Sequence, residues 1–128
     1  MAKEIFEAFE GQQEMFGFSQ ATKMGDTIYV AGTVGIGEGM HIPESMAGQM
    51  QLAYRNVADT LAHFGARMSD VVEQRVYVTN IDEASAALEV RKAAYGGTDL
   101  PASSMVEVSK LALPQLKFEV AVTARLGA

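Results

Sequence analysis

Residues 25–34 read Gly25-Asp26-Thr27-Ile28-Tyr29-Val30-Ala31-Gly32-Thr33-Val34, and their two-residue alternation is that of a β-strand. Ile28, Val30, Gly32 and Val34 fall on one side and Thr27, Tyr29, Ala31 and Thr33 on the other, because successive strand residues point to opposite faces. Gly25-Asp26 separates this run from Phe18 to Met24, so two strand-like arms meet at a short glycine-containing break, which reads as a hairpin. Gly35, Gly37 and Gly39 then lead toward Pro43, and residues 35–44 read as a loop.

Beyond the loop the period changes. From Ser45 to Gly65 the apolar residues Met46, Met50, Tyr54, Val57, Leu61 and Phe64 recur three or four apart, which lines them along one face of a helix that Gly65 ends. Val71 to Thr79 returns to a period near two and predicts a strand. Asp82 stands where an N-cap belongs, Ala84, Ala87, Leu88, Arg91 and Tyr95 share one side, and Gly96-Gly97 stops this second, shorter helix. Ser103 to Lys110 and Leu116 to Leu126 predict two further strands joined at Leu113-Pro114. The order, three strands, helix, strand, helix, two strands, predicts an α+β fold of one domain over residues 1–128: a mixed sheet with both helices on a single face. Tyr29, Ala31, Tyr77, Met105 and Ala121 are expected on the other face, too apolar for free exposure, which predicts that copies of the chain pack there.

Composition narrows the function. The chain has 128 residues, 48% hydrophobic and 20% charged, enough apolar material for a packed core. A net charge of -6, with ten scattered Lys and Arg, argues against nucleic acid as a partner, since a phosphate backbone is held by clustered cations. The absence of cysteine removes disulfides, thiolate metal sites and cysteine nucleophiles and suits a cytoplasmic location. Glu4, Glu7 and Glu10 interrupt the N-terminal segment, unlike a secretory signal, and no run is long and apolar enough for a membrane span, so a soluble protein is expected. His41 and His63 are too separated to suggest a metal site. The glycines at 35, 37 and 39 are not followed by the Lys-Ser or Lys-Thr of a phosphate loop, so no metal or cofactor is expected.

Gly17-Phe18-Ser19-Gln20-Ala21 followed by Gly25 to Gly32 resembles the opening hairpin of the RidA (YjgF) family. The helix Gln49 to Gly65, the strand Asp70 to Thr79, and the segment Leu100-Pro101-Ala102-Ser103-Ser104-Met105-Val106-Glu107-Val108, with Leu111, Pro114 and Phe118-Glu119-Val120 after it, keep that family's order. The resemblance implies a chorismate-mutase-like fold, a homotrimer whose sheets form a central barrel, and small-molecule sites in clefts between subunits. It also implies cofactor-free hydrolysis of reactive imines and enamines such as 2-aminoacrylate.

Such chemistry needs a grip on the substrate carboxylate, a positioned water and a group that manages protons. Where the family motif runs proline, alanine, arginine, this chain has Pro101-Ala102-Ser103, and serine cannot form the bidentate pair that an arginine fork makes with a carboxylate. By resemblance Glu119 is the catalytic residue that orients the attacking water, and the alternative is a solvated or ion-paired strand carboxylate. The same likeness places Phe18, Ala31, Gly32, Glu89, Ser103 and Met105 around the ligand, and alternation adds Arg75, on the strand face that carries Tyr77, as a further candidate. Phe18 stands where many members carry tyrosine, and Glu89 lies near a position often occupied by asparagine. Arg75 is either a substitute cation facing the cleft or one half of an interface ion pair with Glu73, Glu107 or Glu119. The expected function is that of a divergent hydrolase or deaminase, with weak or no action on 2-aminoacrylate. The alternative is a non-catalytic trimer that binds a small ligand. Ribonuclease, a label sometimes attached to the family, fits poorly with the acidic composition and the lack of a suitable histidine pair.

Overall fold

A computed structural model describes residues 2–128. A short strand β1 (Glu4–Phe6) and a helix α1 (Gln12–Phe16) precede the hairpin of β2 (Ala21–Met24) and β3 (Thr27–Val34). The long helix α2 (Met46–His63) leads to β4 (Val71–Val78). Two short helices, α3 (Ile81–Ala86) and α4 (Leu88–Ala94), then precede β5 (Ala102–Glu107) and β6 (Phe118–Arg125). The six strands form one sheet in the order β1-β2-β3-β6-β4-β5, antiparallel throughout except where β4 and β5 run parallel. Among the described residues no helix is long and apolar enough to cross a membrane.

The helical stripe read from the sequence is the seam of the core. Met46, Met50, Tyr54, Val57 and Leu61 of α2 are buried against Ile28 and Val30 of β3, Val76 and Val78 of β4, and Phe118, Val120, Val122 and Ala124 of β6. Ser45 starts the helix: its hydroxyl accepts the Gly48 amide at 3.0 Å, satisfying one of the orphan donors of the first turn. Gly65, at a φ of 76°, ends it. The wholly buried Gln49 ties two loops to this helix. Its amide nitrogen donates to the carbonyls of Pro43 and Gln115, each at 2.9 Å, and its oxygen accepts the Lys117 N–H at 2.7 Å.

Several boundaries and one face differ from the sequence reading. The second helix is two, with Asn80 rather than Asp82 as the cap: the Asn80 side-chain oxygen accepts the Glu83 N–H at 3.0 Å. A β-bulge between Val30 and Thr33 reverses the alternation of β3, since an extra residue on one strand turns everything after it over. Thr33 therefore pairs with Val120 on the helix side and is 5% exposed, while Val34 pairs with Glu119 on the open side. Met105 also changes sides. It pairs with Val76, itself opposite Val120, so it packs on the core rather than on the open face. The loop at 35–44 contains a single turn of 3-10 helix at Glu38–Met40.

Gly35 marks the closest approach of α2 to the end of β3. A Cβ there would lie 2.5 Å from the Gln49 carbonyl oxygen and 2.8 Å from its Cα, backbone atoms that cannot swing aside. Gly35→Ala is therefore expected to lower the unfolding free energy by about 1–3 kcal/mol, the usual cost of overpacking, measured as a shift in denaturant midpoint.

Candidate functional site

β6 points Glu119, Ala121 and Thr123 away from the helices, and β4 sets Glu73, Arg75 and Tyr77 beside them. Glu119 lies between Tyr77 on β4 and Val34 on β3. Its carboxyl folds over Gly32 at the bulge, into space that a Cβ on residue 32 would fill. Burial pushes the Glu119 carboxyl above the ordinary carboxylate range, with no other cause opposing it. A half-buried carboxyl raised in this way can give or accept a proton closer to neutrality than a surface glutamate. Arg75 is committed elsewhere on the same face. Its guanidinium pairs with Glu73, whose Oε1 also accepts the Thr123 hydroxyl at 2.5 Å, and it pairs with neither Glu107 nor Glu119.

On the helix side a second polar group crosses the sheet to its edge. Ser103 pairs with Gln74, and the Gln74 Nε2 donates to the Ser103 hydroxyl at 3.1 Å. The Gln74 Oε1 accepts two phenols, Tyr54 at 2.8 Å and Tyr95 at 2.7 Å. The two tyrosine rings meet edge to face with centroids 5.5 Å apart. Burial pushes the Tyr54 hydroxyl up to about 12 and also raises that of Tyr95, so both remain neutral donors. Gln74 is 5% exposed, whereas Ser103 opens to solvent on the edge strand.

The expected site residues thus fall into two sets. Gly32 and Glu119 meet on the open face, and the Ala31 N–H donates to the Gln20 carbonyl at 2.9 Å, which draws the segment carrying the exposed Phe18 to the bulge. Ser103 and Met105 belong to the helix side of β5, and Glu89 is exposed in the first turn of α4. The strand of Glu119 is not beside that of Ser103: β4 runs between them, and the two side chains lie on opposite faces. Tyr54, Gln74 and Tyr95 were not singled out as site residues. The one available signal was a glutamine at an inward position of an otherwise apolar strand. Among the described residues no three His, Cys, Asp or Glu gather into a metal-binding group, and His41 and His63 are both exposed.

The family model for endoribonuclease L-PSP matches residues 12–126. A RutC family protein of Pyrococcus abyssi is 32% identical over 113 residues, 87% of this chain and 88% of its own length. A 2-iminobutanoate/2-iminopropanoate deaminase of Dermatophagoides farinae is 31% identical over 98 residues, covering 73% of this chain and 74% of that protein. The crystal structure of a Mycobacterium tuberculosis member of the YjgF/YER057c/UK114 family superposes with a TM-score of 0.86 at 31% identity, covering 98% of this chain and all of that one.

The raised Glu119 carboxyl has a consequence for stability. The folded chain holds this proton more tightly than the unfolded one, so stability is lost as pH rises from the ordinary carboxylate value toward the elevated one. Glu119→Gln has no charge to bury and escapes that loss. The variant's melting temperature is expected to match the parent's at acidic pH and to exceed it modestly at neutral pH. A lower value at neutral pH means that the carboxylate has a stabilising partner.

Proposed function

This chain belongs to the endoribonuclease L-PSP (RidA/YjgF) family, and from that premise we propose that it is a divergent hydrolase or deaminase of small imines, enamines or related carbonyl compounds. The observation that carries the reading is the Glu119 carboxyl, half-buried, raised by desolvation and seated over Gly32 on the open face of the sheet. Hydrolysis of an imine adds water across C=N: a proton reaches nitrogen, the water oxygen bonds to carbon, and ammonia leaves as the carbonyl forms. Glu119 is suited to orient that water and take its proton, because its carboxyl is accessible and unpaired. In this reading Gly32 lies under the carboxyl and Phe18 supplies a wall of the cleft, while Met105 and Glu89 belong to the part contributed with Ser103.

Since Glu119 and Ser103 occupy opposite faces of one chain, a site using both takes them from two copies. We place it between subunits of a homotrimer whose open sheet faces turn inward as a central barrel. Tyr29, 52% exposed beside Thr123, is an apolar ring that such packing covers. Sedimentation at micromolar concentration is expected to give the mass of three chains, and a monomer there removes the intersubunit site.

Substrate choice follows from Ser103. The Dermatophagoides relative is named for two imino acids, whose carboxylates call for a cation, and at residue 103 this chain offers a neutral hydroxyl already engaged by Gln74. Losing a charge-assisted hydrogen bond of about 1.5–3 kcal/mol lowers binding roughly ten- to a hundredfold. Turnover of freshly generated 2-aminoacrylate is therefore expected to fall at least tenfold below that of a relative with the arginine, in a coupled ammonia assay. On any imine that is accepted, Glu119→Gln lowers kcat more than it raises KM. Full turnover by that variant removes the carboxylate mechanism. Failure of every imine and enamine tested, with ligand binding retained, favours a non-catalytic binding protein.

A further inference from the structure

We propose that Arg91 is the anion-binding group of this chain, holding the carboxylate of a small organic acid at the α4 side of the Ser103 edge. The inference rests on the reading above that ligands approach this edge, and it places the missing charge on a helix instead of on β5.

Arg91 lies in the last turn of α4, four residues before Tyr95, so the two side chains leave the same face one turn apart. That face is the one packed on the sheet, because the Tyr95 hydroxyl reaches Gln74 at 2.7 Å and Gln74 in turn reaches Ser103 at 3.1 Å. Arg91 is only partly buried as a residue, yet its Nε is fully buried. Among the described residues this Nε is the one buried side-chain nitrogen or oxygen without a hydrogen-bond partner, and no carboxylate pairs with the guanidinium. A buried donor left open in this way carries a desolvation cost, and no acceptor among the described residues balances the charge of the partly exposed guanidinium beyond it. Arg75 is not free to play this part, since it pairs with Glu73 on the opposite face.

The charge also acts on the polar network: Arg91 lowers the Tyr54 hydroxyl electrostatically, against the larger effect of burial, and that hydroxyl donates to Gln74. On this proposal a small acid at the exposed edge pairs with the two terminal guanidinium nitrogens on the α4 side and takes a hydrogen bond from the Ser103 hydroxyl on the β5 side. A carboxylate held by Arg91 is displaced from where an arginine at residue 103 would hold it. Anion binding is thus compatible with poor turnover of 2-aminoacrylate.

Pyruvate is the probe, and methyl pyruvate, its neutral ester, the control. In amide NMR spectra of the full chain, pyruvate is expected to shift Arg91, Tyr95 and Ser103 together and to saturate, while methyl pyruvate does so far more weakly. Arg91→Gln is expected to weaken pyruvate at least about tenfold, Arg91→Lys less, and Lys92→Gln, on a neighbouring face of α4, not at all. Melting temperatures of the variants identify any that fail to fold. The parent protein supplies a readout free of that difficulty: pyruvate should raise its melting temperature and methyl pyruvate should not. Equal effects of acid and ester on the parent, or unchanged pyruvate affinity in a folded Arg91→Gln, overturn the inference. Imine turnover without Arg91-dependent pyruvate binding overturns it alone. Arg91-dependent binding without imine turnover supports it and instead removes the hydrolase reading.

Discussion

The register of β6 is the constraint on which the other elements depend. Phe118, Val120, Val122 and Ala124 are wholly buried under α2, so Glu119, Ala121 and Thr123 must face away. A slip of one residue would drive Glu119 into the core, where an unpaired carboxylate costs several kcal/mol or has to be neutralised. Both neighbours of β6 are locked to this register, β3 on one side and β4 on the other. β3 meets it only by inserting an extra residue, and the bulge falls beside the glycine whose missing side chain leaves room for the Glu119 carboxyl. The half-burial that raises this carboxyl is thus a product of sheet register and one absent Cβ.

Periodicity made much of this legible. The α2 stripe from Met46 to Leu61 and the inward set of β6 are buried as their spacing required, because each pattern persists long enough to outweigh local irregularity. The bulge was not legible. Thr33 and Val34 obey a perfect alternation in the sequence, and only the pairing of β3 with β6 reveals that the phase has shifted. The first of the three strands expected before the long helix had no bounds, and α1 escaped altogether, for a different reason. Three strand residues and five helical ones carry too little pattern, and their place is set by distant contacts such as the Gln12 amide donating to Gln20 at 3.0 Å. Met105 was misplaced because face assignment on an edge strand needs the register of its neighbour, which a single sequence does not contain.

The candidate site divides along the same line. Resemblance pointed to Glu119 and Ser103 as partners, and alternation correctly turned Glu119 from the core, but neither indicates that β4 intervenes. Sheet geometry then constrains the chemistry. A carboxylate on one face and a hydroxyl on the other of one chain cannot address the same small ligand, since the backbone layer separates them. Any reaction that uses both takes one group from each of two copies, and assembly becomes a condition of the site.

The polar network behind Ser103 explains how the edge accommodates serine. A cation at residue 103 brings a charge that some anion must balance, whereas Ser103 closes a neutral chain of hydrogen bonds through Gln74 to two phenols. Both phenols stay protonated through the physiological range, so Gln74 Oε1 keeps both donors and the amide is held between helix and strand. The edge is thereby ordered without a ligand. What it lacks is charge, and the unpaired guanidinium bordering this network belongs to Arg91. Moving positive charge from strand to helix leaves Glu119 untouched while changing where an acid can sit. Specificity in this chain can therefore diverge without disturbing the sheet register that holds the carboxylate in place.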